Sequence, residues 1–226
     1  MPTSLQFKSG LAHKFGRLAV ALGVALTIAT PAAATIVSGL VTGGTALGAG
    51  GVFVSLSVPL TGATPVNTVG ADNFNTPNLY AFSESQNILL GSSLVMDIGA
   101  AIAAGTQVAS HYVFFDPLAT SSMVGTVDFD SDVLGIITST GLLLVSDGLA
   151  NTGVTYLNPV ARGLEAGDSV TISGTRQILL NVTASSPGDY VRVITAFSPG
   201  AVPEPMSLAL VGAALAALAV TRRRKA

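Results

Sequence analysis

From Thr35 onward the apolar residues come in short β-branched and aromatic runs, cut about every ten residues by Gly, Pro, Asn, Asp or Ser. Helical periodicity is nearly absent, so a sheet is the structure open to this stretch. The runs predict strands at Val52 to Val58, Leu79 to Phe82, Leu94 to Ile98, Gln107 to Phe115, Val124 to Phe129, Leu134 to Thr138, Ser169 to Ser173, Gln177 to Thr183 and Tyr190 to Phe197. In the last of these, Val191, Val193 and Thr195 share one face while Arg192, Ile194 and Ala196 share the other. Short strands at this spacing point to an antiparallel β-sandwich or jelly roll.

Four segments depart from the strand pattern. Ser139 to Leu149, with a possible N-cap and Leu142, Leu143 and Leu149, predicts one short helix. Ile98 to Gly105 is small and apolar and suits a loop packed beneath the sheet. Pro59 to Pro77 reads as a long surface loop, and Gly39 to Gly51 as a flexible lead-in. Turns are expected at Asn151-Thr152-Gly153, Glu165-Ala166-Gly167-Asp168 and Ser185-Ser186-Pro187-Gly188-Asp189.

Charge is distributed unevenly. Thr35 to Val202 holds Arg162, Arg176 and Arg192 against eleven acidic residues, while the basic residues otherwise crowd toward both ends. An acidic body argues against nucleic acid as a partner, because phosphate recognition needs clustered Lys and Arg. The chain has no cysteine, which removes disulfides, thiolate metal sites and a thiol nucleophile together. The body must therefore be held by one hydrophobic core.

Lys8, Lys14 and Arg17 precede an apolar stretch, Leu18 to Ile28, too short to span a bilayer. Ala32-Ala33-Ala34 then matches the small-residue pattern read by signal peptidase, with Ala32 and Ala34 at the recognised positions and cleavage after Ala34. At the other end Pro203-Glu204-Pro205 precedes an apolar run from Met206 to Val220, followed by Arg222, Arg223, Arg224 and Lys225. The run is 15 residues long, and snorkelling basic side chains can extend such a stretch toward the roughly 20 residues of a full span. The basic cluster should stay cytoplasmic and leave the acidic body outside, with the inner membrane contacted through this helix.

These three features, in order, resemble the PEP-CTERM sorting signal of Gram-negative bacteria. Val127 to Ile136, Arg162 to Ser169 and Thr183 to Arg192 are also similar to phrases in PEP-CTERM exported proteins of unknown function. The resemblance implies sorting by an exosortase-like transpeptidase, a membrane-anchored intermediate, and association with exopolysaccharide and biofilm at the cell surface or in the extracellular matrix. It imports no activity for the central body. The expected organisation is a signal peptide over 1–34, an exported body over 35–200 and a sorting tail over 201–226. The fold class is then all-β, a sandwich or jelly roll with one short helix, flanked by a signal helix and a C-terminal transmembrane helix.

Within the body, Asp128, Asp130 and Asp132 recur at every second position and would share a face of extended backbone, a pattern able to hold calcium. An EF-hand is excluded, since Val133 and Ser139 stand where Gly and Glu are needed. The competing assignment for the three is a strand end or turn that caps backbone N–H groups. His111 is expected on the polar side or rim of its strand, and Arg162 is expected to pair with Glu165 or Asp168. No G-x-S-x-G elbow occurs, and aromatics make up only 6% with no Trp. The leading function is a non-enzymatic structural or adhesive component of the surface or matrix. The alternatives are a calcium-assisted carbohydrate-binding module and a hydrolase of extracellular polymer.

Overall fold

Alternating side chains need a sheet with one wet face, and unbroken apolar strands need one covered on both; the body contains a sheet of each kind. In a computed structural model, residues 34–197 are described. Ala32 and the rest of the leader lie outside them, as do Pro203-Glu204-Pro205, the expected transmembrane helix and Arg222-Arg223-Arg224-Lys225. Among the described residues no helix is long and apolar enough to cross a membrane.

In chain order the elements are β1 (Ile36–Gly43), α1 (Gly44–Gly48), β2 (Phe53–Leu56), β3 (Thr68–Val69), β4 (Leu79–Ser83), β5 (Ile88–Leu89) and β6 (Ile98–Gly99). There follow β7 (Gln107–Phe115), β8 (Ser121–Phe129), β9 (Val133–Ile137), α2 (Thr140–Val145) and a 3₁₀ turn (Asp147–Leu149). The series closes with β10 (Thr155–Tyr156), β11 (Ser169–Gly174), β12 (Gln177–Ala184) and β13 (Asp189–Ala196).

One sheet has four strands in the order β1-β8-β12-β11, all antiparallel. The other runs β2-β4-β7-β13-β9-β6, with β5 also on β7. It is antiparallel except at β2 and β4, which pair in parallel, and the small β10-β3 pair is parallel as well. The all-β expectation therefore holds, with mixed instead of purely antiparallel pairing.

The two main sheets share a core that joins Val41, Met123, Val127, Ile178, Leu180 and Val182 from one to Leu79, Val113, Phe115, Ile136, Val191 and Val193 from the other. A second apolar layer covers the far face of the larger sheet, where Tyr80, Phe82, Tyr112, Phe114, Tyr190 and Ile194 meet Leu60, Val69, Phe74, Leu143, Leu149 and Val154. Five of these covering residues, from Leu60 through Leu143 to Leu149, sit in the long loop and the short helices. The larger sheet is thus buried on both faces.

Three segments differ from the sequence expectation. Gly39 to Gly51 is ordered: β1 pairs with β8 from Ile36 to Gly43, and α1 follows at once. Glycine hides this strand because close approach requires it; a Cβ on Gly39 would sit 2.5 Å from the Phe53 ring. Pro59 to Pro77 is more than a surface loop, since Leu60, Ala63, Val69 and Phe74 are buried and β3 pairs with β10. Ile98 to Gly105 forms the edge strand β6 and a bridge from Ile102 to Leu94. The helix over Ser139 to Leu149 appears as α2 plus the 3₁₀ turn.

Candidate functional site

The far face of the larger sheet is where polar chemistry concentrates. Arg192 projects from β13 toward the covering layer and is wholly buried. Its Nε and Nη2 donate to Glu84 Oε2 at 2.7 Å and Oε1 at 2.9 Å, a bidentate pair. Its Nη1 donates to Leu143 O at 3.0 Å and Ser146 Oγ at 2.6 Å, and Nη2 also reaches Asp147 Oδ1 at 3.3 Å. All five guanidinium protons are thereby accounted for. Glu84 further accepts from Tyr156 Oη at 2.7 Å and from the Ser110 hydroxyl. Burial opposes the charge on Arg192, but the carboxylate of Glu84 holds its pKa above the ordinary arginine value.

Arg162 completes the network from the opposite side. Its Nη1 and Nη2 donate to Asp147 Oδ1 and Oδ2 at 3.0 and 2.7 Å. Each arginine also lies over a ring, Arg162 5.8 Å from the centre of Tyr156 and Arg192 5.7 Å from that of Tyr112. The expected pairing of Arg162 with Glu165 or Asp168 is corrected here. The Arg162 carbonyl is held by Thr140 and Leu164 N–H bonds Thr138 O, which fixes this segment beside the start of α2. Asp168 meanwhile accepts from the backbone N–H groups of Glu165 and Thr183.

The network fastens α2 and the 3₁₀ turn onto the sheet. Ser146 is its contact with a surface cavity of about 270 Å³, lined by Ile88 to Leu94, Val145, Ser146, Gly148 and Leu149. Neither Glu84 nor Asp147 lines that cavity. With both Glu84 oxygens committed to arginine, tyrosine and serine donors, the carboxylate has little freedom to shuttle protons.

His111 is corrected from a strand rim to a fully buried position. Its Nδ1 lies 3.2 Å from Ser83 Oγ and its Nε2 3.0 Å from Thr195 Oγ1. Ser83 lines a surface depression of about 390 Å³ together with Thr35, Ser55, Ser57 and Asn151. A serine and a histidine are therefore in hydrogen-bond reach, but a hydroxyl stands where a triad places its carboxylate. Burial drives the imidazole pKa down to about 4, against the opposing charge of Asp130. A base that weak takes a serine proton poorly at neutral pH.

The three alternating aspartates have separate partners. Asp128 accepts from Gln177 Nε2 at 2.7 Å and Ser38 Oγ at 2.9 Å. Asp130 accepts from Thr35 N and Thr35 Oγ1, both at 2.8 Å, and from Ser131 Oγ at 3.1 Å. Asp132 meets Arg176 Nε at 3.0 Å in an exposed pair. Among the described residues no three His, Cys, Asp or Glu side chains gather closely enough to hold a metal ion. Among the described aromatic residues, Phe53, Tyr156 and Phe197 are half-buried and the others buried, and Phe197 lines a surface pocket of about 200 Å³ with Asp130, Asp132 and Arg176.

Sequence reasoning missed Glu84 and Asp147. The scarcity of arginine signalled that each must find a carboxylate, but the partners lie across the fold.

The chain matches no family model, no curated protein and no solved structure. The PEP-CTERM resemblance therefore rests on the tail residues and the quoted phrases alone.

Proposed function

We propose that this chain is an exported cell-surface or extracellular-matrix component, structural or adhesive instead of enzymatic, associated with exopolysaccharide and sorted by an exosortase-like transpeptidase. The observation that carries the reading is the order of Pro203-Glu204-Pro205, the apolar run from Met206 to Val220, and Arg222 to Lys225. Proline punctuation, a greasy segment and a basic stop together give both a recognition point and an orientation.

Features of the body support this reading. It has no cysteine to pair and is held by two apolar layers. Its arginines are tied to Glu84, Asp147 and Asp132, and it holds no lysine, so it offers no cluster of basic residues to compete with the basic stub for the cytoplasmic side. Thr35 is already clamped by Asp130 through its nitrogen and its hydroxyl. Cleavage after Ala34 would turn that N–H into an ammonium beside a carboxylate, a charge-assisted bond stronger than the present one.

Mass spectrometry of the protein recovered from the host envelope tests the proposal. The expected product starts at Thr35 and has been processed at or beyond Pro203. Recovery from the cytosol with Met1 and Ala226 both in place would overturn it.

A further inference from the structure

Cations are scarce in this body, and their distribution leaves a gap. No lysine occurs between Thr35 and Val202, and the three arginines are engaged by Glu84, Asp147 and Asp132. Several other carboxylates are satisfied by neutral donors. Asp97 accepts from the N–H groups of Thr138 and Ser139, Asp128 from Ser38 and Gln177, and Asp130 from Thr35. Asp72, Asp116 and Asp189 each keep a buried oxygen with no hydrogen-bond partner, and the first two meet at one loop junction.

Asp116 follows β7 and is wholly buried. Its Oδ2 accepts from Phe74 N at 3.0 Å, while its Oδ1 is buried with no hydrogen-bond partner. Asp72 lies two positions before Phe74, in the left-handed region at φ 53°. Its Oδ2 accepts from the Ser186 hydroxyl, and its Oδ1 is likewise buried without a partner. The same loop binds the Asp116 backbone through Thr76 N at 3.0 Å. The turn at Ser185 to Gly188 closes over the pair so tightly that a Cβ on Gly188 would lie 3.1 Å from Asp116 Cα.

Two bare carboxylate oxygens in one loop junction are costly, because burial strips their water and like charge repels. A neutral donor would relieve one oxygen. A multiply charged cation relieves both.

We propose that Asp72 Oδ1 and Asp116 Oδ1 are ligands of a divalent-cation site of the calcium class, completed by backbone carbonyls and water. Oxygen donors in an irregular loop suit calcium better than zinc, which prefers His and Cys, or magnesium, which demands a regular octahedron. Two carboxylates give a modest charge count, in keeping with the dissociation constants of about 10⁻⁴ to 10⁻³ M found in extracellular modules. Bound there, the ion would pin the 60–77 loop and the 185–188 turn to the end of β7. The site is distinct from Asp128, Asp130 and Asp132, and it does not depend on the proposed export.

Thermal unfolding of the purified full chain, in chelator and then in about 10 mM calcium, tests the site, since that concentration lies about 10- to 100-fold above such constants. Calcium is expected to raise Tm by about 5 °C. Asp72→Asn with Asp116→Asn should abolish the increase while melting in chelator at or above the wild-type temperature. Asp130→Asn should keep it. The single variant Asp72→Asn, at a partly exposed position, gives the same reading if the double variant does not fold. No calcium shift in the wild-type chain, a shift that survives loss of Asp72, or a shift lost in Asp130→Asn would overturn the assignment.

Discussion

β12 and β13 are both eight-residue strands in the middle of a sheet, yet they meet their surroundings in opposite ways. β12 buries Ile178, Leu180, Val182 and Ala184 and turns Leu179, Asn181 and Thr183 outward. β13 buries seven consecutive residues from Asp189 to Thr195. The cause is the second apolar layer, which exists only over the larger sheet. The outward side chains of β12 are exposed. On β13 and its neighbour β7 a polar group depends on a protein partner: Arg192 and Ser110 find theirs under the second layer and His111 and Thr195 find each other between the sheets, while Tyr112 Oη and Asp189 Oδ2 have none. The lesson is that covering a sheet twice adds apolar burial but makes each polar residue beneath the cover conditional on its partner.

The sharpest way to break this contrast is to remove one such partner. Glu84→Gln should destabilise the chain by about 3 to 5 kcal/mol, because it strands a buried guanidinium. Replacing both, as Glu84→Leu with Arg192→Met, should recover most of that loss in urea titrations. A large effect for the double variant equal to the single would contradict the account. Of similar size, Phe114→Ala on the doubly covered strand should cost about 3 to 5 kcal/mol by the same measurement.

A pH series sharpens the comparison at Asp189, where β13 starts. Burial first, then Asp168 and Glu165, push this carboxyl from 3.8 up to about 7. An acid whose folded pKa is raised holds its proton longer in the native state, so its effect is neutral well below 3.8 and turns destabilising as pH rises through the window up to about 7. Asp189→Asn should therefore gain on the wild type by up to about 1.4 kcal/mol per pH unit across that window, and the gain should level off above it. His111 acts in the opposite sense: its folded pKa of about 4 lies below 6.5, so the native state loses stability as pH falls between those values. The smallest effect belongs to the wet face, where Thr171→Ala should stay within about 0.5 kcal/mol.

The strands easiest to read in advance were those whose local pattern matched their final setting. Gln107 to Phe115 is β7 without adjustment, and Gln177 to Thr183 is β12 less its last residue, because β-branched content and clean turns mark their ends. β1 was concealed, since Gly39 and Gly43 answer to Phe53 and Val124 on other strands and carry no strand signal of their own. The burial of Leu60, Val69 and Phe74 was equally hidden, because a loop rich in Thr, Asn and Pro gives no hint that a second layer exists. Of the polar network only the arginines could be singled out. Asp147 lies fifteen residues before Arg162, with α2 and the 3₁₀ turn deciding the meeting, and Glu84 reaches Arg192 across 108 positions.

The chain beyond Phe197 leaves from β13, and β13 is hydrogen-bonded to β7 along one side and β9 along the other. A pull applied along that strand would load two ladders in shear, many bonds at once, where a peripheral strand could be peeled one bond at a time. Whatever the following segment is attached to, the body grips it by an interior thread.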